Sequence, residues 1–161
     1  MFLIAVNVGF IFAETGERYY EPNRDFSICP PVGWYIVEFP GLKYHVVISD
    51  PINGFSPHFL FIDEQFSGDL PRYVEANIQN VKIVYPDIEL LKNESFTTDN
   101  GTRGTKLAML NPNSGNPIRQ FFYILPKGGG MYYTVTCSVG NSHGQQLESI
   151  FDESMKTFRF E

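Results

Sequence analysis

Hydrophobic and polar positions along the chain recur with two periods, and turn residues mark where one gives way to the other. Phe26 to Cys29 reads as a short strand closed by Pro30, Pro31 and Gly33, after which Trp34 to Phe39 resumes extended character. Leu42, Tyr44, Val46 and Ile48 alternate with Lys43, His45, Val47 and Ser49, the period of two that predicts a half-buried strand. Asp50, Pro51, Asn53, Gly54 and Pro57 break it, and Phe59 to Phe66 forms a further aromatic-rich strand. Past Asp69 the period changes. Leu70, Val74, Ile78, Val81 and Tyr85 recur every three or four residues, which predicts a helix with Asp69 as its N-cap, Pro71 in its first turn and Pro86 as its stop.

Two hairpins follow. Ile88 to Thr98 and Thr102 to Leu110 flank Asp99-Asn100-Gly101, and Ile118 to Pro126 and Met131 to Val139 flank Lys127-Gly128-Gly129-Gly130. In the strand from Ile118 to Pro126, Ile118, Phe122 and Ile124 fall on one face while Phe121, Tyr123 and Leu125 fall on the other. A strand apolar on both sides needs cover above and below its sheet. Ser142 and Gln145 have the spacing of a capping box for a second helix, whose apolar residues are Leu147, Ile150, Phe151 and Met155. Phe158 and Phe160 alternate with Thr157 and Arg159 as a closing strand. The pattern predicts one α+β domain, an α/β/α sandwich whose central, mostly antiparallel sheet carries helices on both faces. A β-barrel binding protein is the structural alternative, and the two helical windows argue against it.

Composition narrows the function classes. The 161 residues suffice for one domain, with 43% hydrophobic residues to pack a core and 16% aromatic residues favouring strands. Twelve Lys and Arg against 18 Asp and Glu give a net charge of -6, the wrong sign for tracking a phosphate backbone, so no nucleic-acid partner is expected. Phe2 to Ala13 is an uncharged apolar run ending at Glu14. It is shorter than the roughly 20 residues of a membrane span and has the length of a signal-peptide core. Residues 1–13 are therefore expected to be an export signal, 14–25 a lead-in and 26–161 a single domain, acting as a monomer in the periplasm or outside the cell. The competing reading of the run is a buried first strand.

Cys29 and Cys137 show no metal-ligand spacing. In an exported chain they could close a disulfide, and otherwise they are two buried thiols. His45 and His58, with Asp63 or Glu64, are the metal-ligand candidates, because His58 and Glu64 share a strand face by parity. Trp34, Tyr44, Phe61 and Tyr123 are the aromatic residues that would line a small-ligand or lipid pocket, if they do not simply pack the core. Neither G-x-S-x-G nor H-E-x-x-H occurs. The Lys127-Gly128-Gly129-Gly130 run lacks the closing Gly-Lys-Ser/Thr of a phosphate loop and reads as a turn. Asn93-Glu94-Ser95 and Asn100-Gly101-Thr102 match the glycosylation pattern but read as ordinary strand and turn residues. No cofactor is implied.

The stretch Phe26-Ser27-Ile28-Cys29-Pro30-Pro31-Val32-Gly33-Trp34 resembles the opening strand and Pro-x-Gly-Trp turn of the small α/β/α sandwiches that include PsbP, DcrB and the Ran import factor. Tyr132 to Cys137 is similar to that group's penultimate strand, and Phe151 to Phe160 to its last helix and last strand. These motifs concern fold and not chemistry. The resemblance implies a non-enzymatic protein that binds another protein or an envelope assembly. The apolar N-terminal run sets the chain apart from the nuclear factor, and the lack of a Cys after that run from lipoproteins. The implied relatives are exported bacterial members. The alternatives are a small-ligand or lipid carrier and, last, a metal-dependent hydrolase.

Overall fold

A computed structural model describes residues 13–112 and 115–161 of the chain. The expected export signal, apart from Ala13, lies outside the described residues. The elements in order are β1 (Tyr19–Tyr20), β2 (Phe26–Ile28), β3 (Tyr35–Val37), β4 (Val46–Ile48), β5 (His58–Gln65), α1 (Leu70–Val84), β6 (Glu89–Thr97), β7 (Arg103–Asn111), β8 (Ile118–Gly128), β9 (Met131–Gly140), a 3-10 turn (Asn141–His143), α2 (Gly144–Lys156) and β10 (Arg159–Phe160). Seven strands form one antiparallel sheet in the order β3-β4-β5-β9-β8-β7-β6. A second, three-stranded sheet has the order β1-β2-β10. The fold is α+β, as the hydrophobic pattern predicts.

The two-sided strand sits where such a strand must. β8 lies inside the large sheet, and its alternate residues enter two separate cores. Phe121, Tyr123 and Leu125 join the core beneath α2 and the small sheet, with Phe26, Ile28, Leu147, Phe151, Met155 and Phe158. Phe122 and Ile124 join the core beneath α1, with Tyr73, Val74, Ile78, Leu107 and Met109. Asp69 caps α1 by accepting a hydrogen bond from the Arg72 N–H at 3.1 Å, and the helix stops before Pro86.

Three expectations are corrected. The strand expected from Leu42 to Ser49 shortens to Val46–Ile48, and its alternation fails before Val46. Tyr44 and Val47 enter the α2-side core, whereas Val46 and Ile48 point to the opposite face. The Ser142 capping box does not form. Ser142 Oγ lies 3.0 Å from His143 Nδ1, and the chain enters α2 through the 3-10 turn. At Gly144 a Cβ would come within 2.7 Å of the end of the flexible Arg119 side chain, which would have to shift to admit it. Finally, the expected single central sheet is joined by a second, in which the closing strand β10 pairs Arg159 with Ser27 and Phe160 with Phe26. The lead-in supplies β1, which pairs with the other edge of β2.

Candidate functional site

The helices do not finish both faces of the large sheet. On one side, α2 and the small sheet together cover the strands. On the other, α1 packs over β7, β8 and β9, and the half nearest the β3 edge has no helix above it among the described residues. Cross-strand register shows what this half presents. Tyr35 pairs with Ile48 and Val37 with Val46, Ile48 pairs with His58, and His58, Leu60 and Ile62 pair with Ser138, Thr136 and Thr134. Directly paired residues share a face. Tyr35, Val37, Val46, Ile48, His58, Leu60 and Ile62 therefore form one continuous surface, and Phe39 and Leu42 close its end.

Phe39, Leu42, Val46, Ile48, His58 and Leu60 line a shallow groove of about 190 Å³ on this surface. Tyr35, Phe39, Leu42 and Ile62 are 53%, 42%, 47% and 55% exposed. Apolar side chains exposed together, rather than singly, mark an interaction surface. No Lys or Arg is among these residues. His58 is tied down through Nδ1, 2.9 Å from the Ser56 carbonyl.

The opposite face is knitted shut by charge as well as by rings. Lys106, on β7, points under α2 and is only 3% exposed. Its Nζ lies 2.7 Å from Glu148 and 2.8 Å from Asp152, both on α2. Tyr123 donates to the Asp152 carboxylate at 2.6 Å, and Lys92 reaches Glu148 at 2.7 Å. Burial alone would lower the Lys106 pKa, but the hydrogen bonds it donates to Asp152 and Glu148 outweigh this and hold the ammonium above its ordinary value. Burial opposes ionisation of Glu148 too, yet Lys106 and Lys92 bring its carboxyl below the usual value. Burial pushes the Tyr123 hydroxyl and the Cys137 thiol well up, so neither is a nucleophile or base at neutral pH. This cluster is a clamp on α2, closed to solvent at its lysine.

The candidates from the sequence are scattered by the fold. His45 meets Tyr19, whose hydroxyl lies 2.6 Å from Nδ1 and is pushed up to about 12 by burial and by Glu21. His58 and Glu64 do share a face of β5, but six residues of strand put them about 20 Å apart. They cannot share an ion, and the described residues contain no group of three or more His, Cys, Asp or Glu placed to hold one. Asp63 is held by Lys43 at 2.7 Å. The candidate Cys29–Cys137 bridge is absent, and both thiols are free. Cys29 lies just past β2, where its N–H donates to Thr157 Oγ1 and its carbonyl accepts from Ser154, while Cys137 is buried in mid-β9.

Of the four aromatic pocket candidates, Tyr44 and Phe61 meet at Phe26, with ring centroids 5.2 and 4.7 Å from it. Trp34 packs instead on Phe59 and Phe151, and Tyr123 on Phe96. All four rings thus pack edge or face against other rings of the core beneath α2. The residues of the open face, Leu60 and Ile62 above all, escaped the sequence reading. Their signal was arithmetical: a helix roughly 10 to 12 Å wide covers two or three strands at about 4.8 Å spacing, so one helix cannot roof a seven-stranded face.

The architecture is that of the PsbP-like α/β/α sandwiches. The cyanobacterial PsbP protein CyanoP of Synechocystis sp. PCC 6803 superposes with a TM-score of 0.67 at 16% identity, over 95% of this chain and 96% of that one. The Ran-binding protein Mog1p of Saccharomyces cerevisiae gives 0.64 at 9% identity, over 91% and 96%. LpqN of Mycobacterium tuberculosis, described as involved in cell envelope biogenesis, gives 0.62 at 14% identity, over 90% and 84%. No family model matches the sequence, and no curated protein matches it by sequence. At these identities the likeness is one of fold.

Proposed function

We propose that this chain is an exported, non-enzymatic accessory domain that works by binding another protein through the open half of its large sheet. The observation that carries the proposal is the contiguous apolar surface of exposed Tyr35, Phe39, Leu42 and Ile62 with half-buried Leu60 among them, beside a fully built core. Such a surface lowers solubility without adding stability, and a docking role explains its presence. The fold agrees with this reading, since one neighbour is named for binding Ran and another for envelope biogenesis. The groove of about 190 Å³ lies below the roughly 300 to 1,000 Å³ of small-molecule sites, which favours a macromolecular partner over a carried ligand. Among the described residues no helix is long and apolar enough to cross a membrane. Export rests on the apolar run from Phe2 to Ala13. Removal of that run leaves Glu14, whose carbonyl accepts from the Val32 N–H, near the new terminus.

The test is photo-crosslinking in the source cells, with a photoreactive residue at Ile62 or Leu42 and a control at exposed Glu153 on α2. The expected outcome is a discrete protein adduct from Ile62 and Leu42 and none from Glu153. Adducts of equal yield at all three positions, or none at the first two, overturn the docking role. N-terminal mass analysis of the cell-derived protein tests export, with Glu14 as the expected first residue.

A further inference from the structure

The open half of the face has the width of a second helix. Strands β3, β4 and β5 lie side by side, so the surface from the β3 edge to the flank of α1 is about 10 to 14 Å across. An α-helix with its side chains has a diameter of about 10 to 12 Å. On the adjoining strands α1 shows the packing such a helix would repeat, with Val74 and Ile78 seated on Leu107, Met109, Phe122 and Ile124.

Charge at the border selects the kind of helix. Glu38 directly precedes Phe39, Asp50 follows Ile48 by two residues, and Glu64 follows Ile62 by two on the same strand face. All three are exposed, and no described cation pairs with any of them. Lys43, next to Leu42, is already held by Asp63. The surface is thus an apolar strip with unneutralised carboxylates around it, on a chain of net charge -6. We infer that its occupant is an amphipathic α-helix of a partner protein, with an apolar stripe against Leu60 and Ile62 and Lys or Arg along both borders. This deepens the docking role proposed above and depends on it. A second copy of the chain would set the same carboxylates against each other, and an anionic lipid surface would be repelled by them.

The probe is a fluorescent peptide of about 18 residues, long enough for five turns, with Leu at i, i+3, i+4 and i+7 and Lys on the flanks. A matched peptide carries Glu in place of Lys. Binding to the full chain is read by fluorescence anisotropy. Saturable one-to-one binding of the Lys peptide is expected, with affinity about tenfold lower for Ile62→Ser, from the lost apolar contact. Glu64→Lys should weaken it about two- to fivefold, as should raising the salt. The Glu peptide should bind at least about tenfold more weakly than the Lys peptide. Equal binding of both peptides, each lost in Ile62→Ser, overturns the basic helix while leaving the docking role standing. Binding of the Lys peptide that ignores Ile62→Ser overturns the inference as adventitious charge attraction. Failure of both peptides while Ile62 still gives crosslinks to a partner in cells overturns the helix alone. A dimer in sedimentation that Ile62→Ser dissociates, or binding to phosphatidylglycerol vesicles that it abolishes, also overturns the inference in favour of those occupants.

Discussion

Beneath α2, the large sheet presents Phe59, Phe61, Phe121, Tyr123, Val135 and Cys137, and every one of them is buried. Across the same strands, the other face presents buried Phe122 and Ile124 under α1, then Leu60 partly open and Ile62 mostly exposed. β5 and β8 carry apolar residues on both faces, whereas β9 turns Val135 and Cys137 to the α2 side and Thr134, Thr136 and Ser138 to the other; on β5, what differs between the faces is the cover. The α2 side has a helix, a three-stranded sheet and a lysine clamp, whereas the α1 side has one helix. Apolar residues on a sheet therefore mark stability on one face and availability on the other, and only the layer above tells them apart.

The comparison predicts its largest effect at Phe151. This ring is fully buried and sits 5.2 Å from Phe59 and 5.7 Å from Phe121, centroid to centroid, joining α2 to the sheet. Phe151→Ala should cost about 3 to 5 kcal/mol in urea unfolding, from lost transfer energy and the cavity left behind. A loss under about 1 kcal/mol would mean that α2 does not hold its face closed.

The clamp comes next. Lys106→Met keeps the apolar stem but leaves the Glu148 and Asp152 carboxylates facing a hydrophobic group. A loss of about 1 to 3 kcal/mol is expected, since both carboxylates keep some access to water. Adding Glu148→Gln to Lys106→Met should recover part of it, a coupling that a double-mutant cycle reads directly. Additive losses would show that the lysine acts only through packing.

How far the sequence carried these features depends on their range. Both helices, both tight hairpins and the two-sided β8 were legible, because Asp69, Pro86, Asn100-Gly101 and the alternation at 118–126 act over a few residues. The small sheet was not, because β2 meets β10 across the whole length of the domain, and two-residue strands such as Arg159–Phe160 carry almost no period. The clamp was invisible for a similar reason. Lys106 reads as a polar interruption of β7, and only the fold brings Glu148 and Asp152 over it. The open face was half legible. Residues 59–66 read as a strand, but the side of it left without a helix depends on where α1 comes to rest.

Acid should separate the two faces without mutation. Glu148 titrates below its ordinary value of 4.5 in the folded protein, chiefly because Lys106 and Lys92 outweigh the burial that opposes it. A depressed carboxyl stabilises the fold fully above that value, and the stabilisation is lost as pH falls through the folded pKa. Stability measured downward from pH 5 should therefore fall, and Lys106→Met should flatten that dependence. An unchanged slope in the variant would remove the clamp from the acid response.

The smallest stability effect should be at Ile62, and there the comparison is most exposed to failure. Ile62 is a large apolar residue in the middle of a long strand of the central sheet, a position where truncation ordinarily removes core. Its pair across the sheet is Thr134 on β9, yet 55% of it faces water and no described helix lies above it. If that surface awaits a partner, Ile62→Ser removes nothing the isolated chain uses, and its unfolding free energy should stay within about 0.5 kcal/mol of wild type. A loss above about 1.5 kcal/mol would mean that another part of this chain packs there in solution. The face would then be core, and docking at it would have to displace what the chain already holds.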